Sequence, residues 1–124
     1  MDRARARTRQ RPPPREIIDS LSLKVETPSA DLGIEVTGAY VSDMMSDVMG
    51  NAKDGFLWIT IQVHLNVIAV ASLKNLSGII LVNSRVPAED TLKKAVEEKI
   101  PIMTTPLSAF DLVGMLYGLG LRCR

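Results

Sequence analysis

The residues of this chain that could do chemistry stand where its apolar runs stop. Thr60 stands near the end of the run Phe56 to Ile61 and Gln62, His64 and Asn66 follow it, and Asn83, Ser84 and Arg85 follow Gly78 to Val82. Ser42 and Asp43 follow Ile34 to Val41, and Thr104 and Thr105 close the short run that starts at Ile102. Hydroxyl, amide and guanidinium groups in this mixture suit recognition of a small anion. Arg85 offers a two-pronged donor for a phosphate or carboxylate, and N–H groups at helix starts add donors of the same sense. The same residue types also cap helices, and Ser42, Asp43, Thr105 and Ser84 fit that role equally well. His64 is the single histidine. Histidine is a residue type used in acid–base work and ligand binding, but without an evident carboxylate partner near it in sequence His64 reads as a surface or cap residue.

The motifs that mark common enzymes are missing. The chain contains no G-x-x-x-x-G-K-[ST], no G-x-G-x-x-G and no G-x-S-x-G, which argues against a kinase, a dinucleotide enzyme or a serine hydrolase. A non-catalytic module without a cofactor is the expectation. The only cysteine is Cys123. An intramolecular disulfide is therefore impossible, a soft-ligand metal site is not expected, and a reducing, cytoplasmic compartment is the natural reading.

Elements that could position the strand-end residues are legible in the pattern. Phe56 to Ile61 and Gly78 to Val82 are apolar without alternation, as in strands of a parallel sheet covered on both faces. Parallel neighbours need a crossover of about a dozen residues, and the gap from Gln62 to Ser77 supplies one. Asn66 to Leu76 is therefore expected to be helical, although its own periodicity is ambiguous. Arg15 to Leu21 reads as a short helix, Leu23 to Thr27 as a brief strand ended by Pro28, and Ile34 to Val41 as a strand with Gly38 as its weak point. Ser42 or Asp43 then caps a helix running to about Ala52. Its stripe of Met44, Met45, Val48, Met49 and Ala52 is expected to be core, though methionines also make soft binding surfaces. Lys53 to Gly55 is a turn. Pro87 opens a helix with Leu92, Ala95, Val96 and Ile100 inward and Lys93, Lys94, Glu97 and Glu98 on a solvated face. Pro106 opens a last helix with Leu107, Phe110, Val113, Leu116 and Tyr117 inward, ended by Gly118 and Gly120.

From Ile34 onward strand and helix alternate four times. This predicts an α/β fold: a small layered domain with a mostly parallel central sheet and helices on both faces. At 124 residues and 46% hydrophobic composition the chain suits one domain. The expected organisation is an Arg/Pro-rich disordered tail over residues 1–14, a single domain over 15–120 and a short tail over 121–124. Six arginines stand against Asp2 in residues 1–15, so the remaining nine basic and thirteen acidic residues leave the domain mildly acidic. Nucleic acid binding through the folded surface is thus not expected, except through the arginine tail. No apolar run reaches membrane-spanning length.

Four segments, Val36 to Met49 (VTGAYVSDMMSDVM), Gly55 to Thr60 (GFLWIT), Leu76 to Asn83 (LSGIILVN) and Ile100 to Phe110 (IPIMTTPLSAF), resemble the DRTGG domain family in order and spacing. The resemblance covers about Arg15 to Leu119. It implies a stand-alone regulatory α/β module, similar in fold to the N-terminal domain of HPr kinase and lacking the P-loop kinase domain. It further implies sensing of an adenine nucleotide, homodimer contacts, and a redox-enzyme partner such as an iron-only hydrogenase system. The family's Asp-Arg pair would fall near Val63 and His64, and its Thr-Gly-Gly on Val82, Asn83 and Ser84. Neither is present here.

Overall fold

Phe56–Thr60 is buried at every residue, and the other elements are arranged around it. The structure, a computed structural model, describes residues 13–28 and 32–124. Its elements in chain order are α1 (Pro14–Leu21), β1 (Lys24–Val25), β2 (Gly38–Val41), α2 (Met45–Asn51), β3 (Phe56–Thr60), α3 (Asn66–Leu73), β4 (Gly78–Leu81), α4 (Glu89–Glu98), β5 (Ile102–Thr104) and α5 (Ala109–Gly118). The sheet has five strands in the order β1-β5-β4-β3-β2. β2 to β5 are mutually parallel, and β1 joins β5 antiparallel at one edge. This is the predicted α/β architecture. The expected tail over 1–14 lies outside the described residues except for Pro13 and Pro14. Pro14 is buried at the start of α1, a position where the missing N–H of proline costs nothing.

Side chains of β3 alternate between two cores. Phe56 and Trp58 face one core with Val48 of α2, Val67, Ile68 and Ala71 of α3, and Ala95 of α4. Leu57 and Ile59 face the other with Ile17 of α1 and Leu112 and Leu116 of α5. Helices therefore cover both faces, as the unbroken apolar runs require. The turn at Gly55 has φ +84, a conformation L-residues rarely adopt.

Several local expectations are corrected. The first long strand begins at Gly38 rather than Ile34. The stretch before it runs as a loop tied by Thr37 N to Gly55 O at 2.9 Å and by the Ser77 hydroxyl to Glu35 O at 2.9 Å. Gly38 is no weak point: an added Cβ there would sit 2.5 Å from both Arg122 O and the Phe56 ring, so only glycine lets the C-terminal segment close on the sheet. Two methionines of the expected stripe are not core, because Met44, just before α2, is 64% and Met49 37% exposed. On α4, Thr91 and Ala95 point inward while Val96 is exposed. The last helix starts at Ala109, with Ser108 capping it through Asp111 N at 3.3 Å. Its inward residues are Leu112 and Leu116, whereas Phe110 and Tyr117 face outward.

Gly38→Ala is expected to cost about 1–3 kcal/mol in urea unfolding, as overpacking of a closed contact does. Gly50→Ala, on α2 where an added Cβ meets nothing, is expected to stabilise by about 0.5–1 kcal/mol. Equal effects of the two substitutions would contradict the close approach at Gly38.

Candidate functional site

Parallel pairing sets the carboxyl ends of β2, β3, β4 and β5 side by side at one sheet edge, the usual ligand edge of open α/β sheets. Strand order places Ser42 and Asp43 next to Thr60 and Gln62, then Asn83 to Arg85, then Thr104 and Thr105. The residues divide into three groups with different partners.

The first group is a clasp. The Asp43 carboxylate accepts from the Thr60 hydroxyl at 2.8 Å and from Ile61 N at 3.0 Å. Gln62 Nε2 donates to Asp43 O at 2.9 Å, and the Thr60 hydroxyl accepts from Gln62 N at 3.1 Å. Ser42 Oγ accepts from Met44 N at 3.1 Å, and Trp58 Nε1 donates to Ser42 O at 2.8 Å. Ser42, Asp43, Thr60 and Gln62 thus tie the end of β2 to the end of β3. Neither Ser42 nor Asp43 is the N-cap of α2, a position held by Met44. Beside the clasp the Tyr40 hydroxyl donates to the Asp47 carboxylate at 2.9 Å, and Asn51 Nδ2 joins at 2.9 Å. Hydrogen bonding from the Ser42 hydroxyl, then from the Tyr40 phenol, holds the Asp47 carboxyl below its ordinary 3.8. The bond to Asp47 pushes the Tyr40 phenol above its ordinary 10.0.

The second group stands apart. His64 and Asn66 are exposed at the start of α3, in an open groove of about 840 Å³ between α3 and α4 whose rim includes Asp90, Lys94 and Glu98. They do not join the strand-end cluster. Among the described residues no three or more His, Cys, Asp or Glu side chains come together to hold a metal.

The third group forms a hollow. Ser84, Arg85, Thr104 and Thr105 line a cavity of about 240 Å³ together with Ser22, Lys24 and Glu26. Glu26 accepts from the Thr104 hydroxyl at 2.8 Å and lies 3.7 Å from Lys24 Nζ. Two cations, Lys24 and Arg85, therefore line one cavity with a carboxylate that already has partners in Thr104 and Lys24. Sequence reasoning missed Lys24 and Glu26. They reach this edge because β1 runs antiparallel, setting Lys24 opposite Thr104.

The backbone that presents Ser84 and Arg85 is strained. Asn83 and Ser84 have φ of 56° and 57°, a left-handed conformation costing a non-glycine residue about 1–2 kcal/mol. Asn83 N donates to Leu107 O and Ser84 N to Thr105 O, each at 2.9 Å. These bonds hold the turn against β5 and engage its amides. The groups that line the hollow with donors are the Lys24 ammonium, 3.7 Å from Glu26, the Arg85 guanidinium, and the hydroxyls of Ser84 and Thr105, the last of which accepts from Leu107 N at 3.2 Å. Asn83 and Ser84 are also the positions where the family resemblance places a glycine pair, so a glycine-like backbone is present without the glycines.

Ser84→Gly is expected to raise stability by roughly 0.5–1 kcal/mol, the left-handed strain relieved less the glycine entropy cost. A loss in chemical unfolding would contradict the strain. The Asp47 shift has a definite sign. Its folded-state pKa is depressed, so its share of stability is complete above 3.8 and disappears as pH falls through the folded value. Asp47→Asn should therefore lower the urea midpoint at neutral pH and converge with the parent in strong acid. A constant gap across pH 2–7 would be the contrary result.

Among solved structures, the chain is similar to the CBS and DRTGG domains of the regulatory region of a Clostridium perfringens pyrophosphatase, determined in complex with its activator, diadenosine tetraphosphate. The TM-score is 0.65 at 16% sequence identity, covering 88% of this chain and 47% of that one. The chain thus spans about half the length of that structure, and the likeness is one of fold. No family model matches the chain, and no curated protein matches it.

Proposed function

We propose that this chain is a non-catalytic regulatory module that senses a small anionic ligand, an adenine nucleotide being the first candidate, at the carboxyl ends of β4 and β5. The observation that carries this reading is the hollow lined by Lys24, Arg85 and the hydroxyls of Ser84 and Thr105, with Glu26 as its one carboxylate. Charged donors there give stronger hydrogen bonds to a phosphate than neutral ones, and Arg85 adds a planar fork matched to its oxygens. Glu26, held by Thr104 and Lys24, keeps Lys24 directed at the same edge. At about 240 Å³ the hollow is smaller than the roughly 300–1,000 Å³ of sites that enclose a whole drug-sized ligand. It suits a phosphate group, with the nucleoside lying outside on the sheet edge. The neighbour of like fold is a regulatory region bound to a dinucleoside polyphosphate, which supports a sensing role.

A second reading, a protein-interaction or adaptor module, is favoured by the exposed apolar residues Phe110 and Tyr117 of α5. A redox-enzyme partner, as the resemblance implies, would be recognised through such a face. Co-purification from the native host with wild type, and its loss with Phe110→Asp, is the result this reading expects.

The sensing reading is tested by calorimetry and thermal unfolding with ATP, diadenosine tetraphosphate and inorganic pyrophosphate. A ligand at 100 times its dissociation constant should add about 2.7 kcal/mol. Arg85→Ala is expected to remove most of that gain while leaving the unliganded stability within about 0.5 kcal/mol, as at other exposed positions. Absence of heat and of stabilisation with all three phosphates at millimolar concentration would falsify the reading.

A further inference from the structure

We infer that Glu26 makes the hollow at the β4–β5 end selective for an anion that carries its own proton, a phosphate with a P–OH group, over an anion of the same shape with none. The inference rests on the reading of that hollow as an anion site and names which anion it takes.

The short strand β1 brings the carboxylate there. Successive side chains of a strand point to opposite faces, so Val25 packs into the core beneath α1 and α5 while Lys24 and Glu26 share the other face. Glu26 N donates to Ile102 O at 2.8 Å, and Lys24 stands opposite Thr104 across the antiparallel pair. The Glu26 side chain is thereby held against β5 and is only 15% exposed, whereas that of Lys24 is 76% exposed. Both line the hollow with Ser84, Arg85 and Thr105.

The two oxygens of the Glu26 carboxylate differ. Oε2 accepts from the Thr104 hydroxyl at 2.8 Å and lies 3.7 Å from Lys24 Nζ. Oε1 has no hydrogen-bond partner among the described residues. A carboxylate only accepts, lysine and arginine only donate, and hydroxyls serve either way. An anion in the hollow gives its bare oxygens to Lys24 and Arg85, but beside Glu26 it meets a group of its own charge. An oxygen that carries a proton donates there to a charged acceptor, a hydrogen bond of the stronger kind. An oxygen without one leaves like charges face to face and the acceptor unpaired, which is how a site built for a hydroxyl rejects the analogue that lacks it. Phosphate and sulfate separate the two cases. They share a tetrahedral shape, but near neutral pH phosphate keeps at least one proton and sulfate keeps none. Two cations alone would not prefer phosphate, because sulfate carries the full double charge.

The test titrates the full chain with inorganic phosphate and with sulfate at neutral pH and constant ionic strength, following the backbone amide resonances of Ser84 and Arg85. Phosphate is expected to bind about tenfold or more tightly than sulfate, as one hydrogen bond to a charged group provides. Glu26→Gln keeps an acceptor for the Thr104 hydroxyl and offers an amide donor in place of Oε1. It should abolish the preference, chiefly by improving sulfate. Circular dichroism checks that this variant folds, and the wild-type comparison stands without it. AMP, titrated in the same way, names the source of the phosphate. Tighter binding than inorganic phosphate assigns it to a nucleotide and weaker binding to the free ion, and both uphold the inference when sulfate is the weakest of the three. Equal affinity of the wild type for phosphate and sulfate, or a preference that survives Glu26→Gln, overturns the inference and leaves the anion site standing. Absence of saturable shifts with all three overturns both.

Discussion

The structure depends on burying one strand on both faces. β3 has no solvent-facing side, so each of its side chains must meet a helix layer, and no sheet face is left open in the middle of the molecule. Trp58 shows the strength of this constraint. It is fully buried, and its one polar atom is satisfied by Ser42 O at 2.8 Å. That bond joins the core to the carboxyl edge, because the carbonyl it uses belongs to the first residue after β2. The polar residues at the strand ends are held in place by the same burial that orders the strands.

The carboxyl edge divides between architecture and recognition. At the β2–β3 end, Asp43 binds a hydroxyl and an amide of the neighbouring strand. A carboxylate among donors that are already engaged is a poor receptor for an anion, whereas it is effective at fixing two strand ends. At the β4–β5 end the Glu26 carboxylate is engaged as well, by Thr104 and Lys24, but there two cations, Lys24 and Arg85, line the same hollow with the hydroxyls of Ser84 and Thr105. The left-handed turn at Asn83 and Ser84 delivers Arg85 there at a cost in backbone strain, which bonds to Thr105 O and Leu107 O offset. Strain of this kind gathers at functional sites, where a side chain must be aimed rather than allowed to relax.

The sequence carries most of the fold and about half of the candidate site. β3, β4 and β5 were legible because unbroken apolar runs at this spacing fit only strands covered on both faces, and α3 followed from the crossover that parallel pairing demands. α5 was misread because it is apolar nearly all round. Two stripes fit its pattern: of the expected one, Leu116 is buried while Phe110 and Tyr117 face outward, and Leu112 takes the other inward place. Met44 and Met49 failed for the same reason: period reports a face, not which side of it has a neighbour. Lys24 and Glu26 could not be found from sequence, because a two-residue edge strand carries no signal for the strand it joins or the direction in which it runs. The turn at Asn83 and Ser84 escaped notice because its usual marker, glycine, is absent.

The central claim, that anion recognition is localised at the β4–β5 end, is tested most directly by following backbone amide resonances of the full chain during titration with inorganic pyrophosphate and then with ATP. The account predicts saturable shifts concentrated at Lys24, Ser84, Arg85 and Thr105, with Asp43, Thr60 and Gln62 nearly still, and with the same residues responding to both ligands. Saturable shifts centred on the β2–β3 clasp or on His64 and Asn66, or no shifts at all, would contradict it.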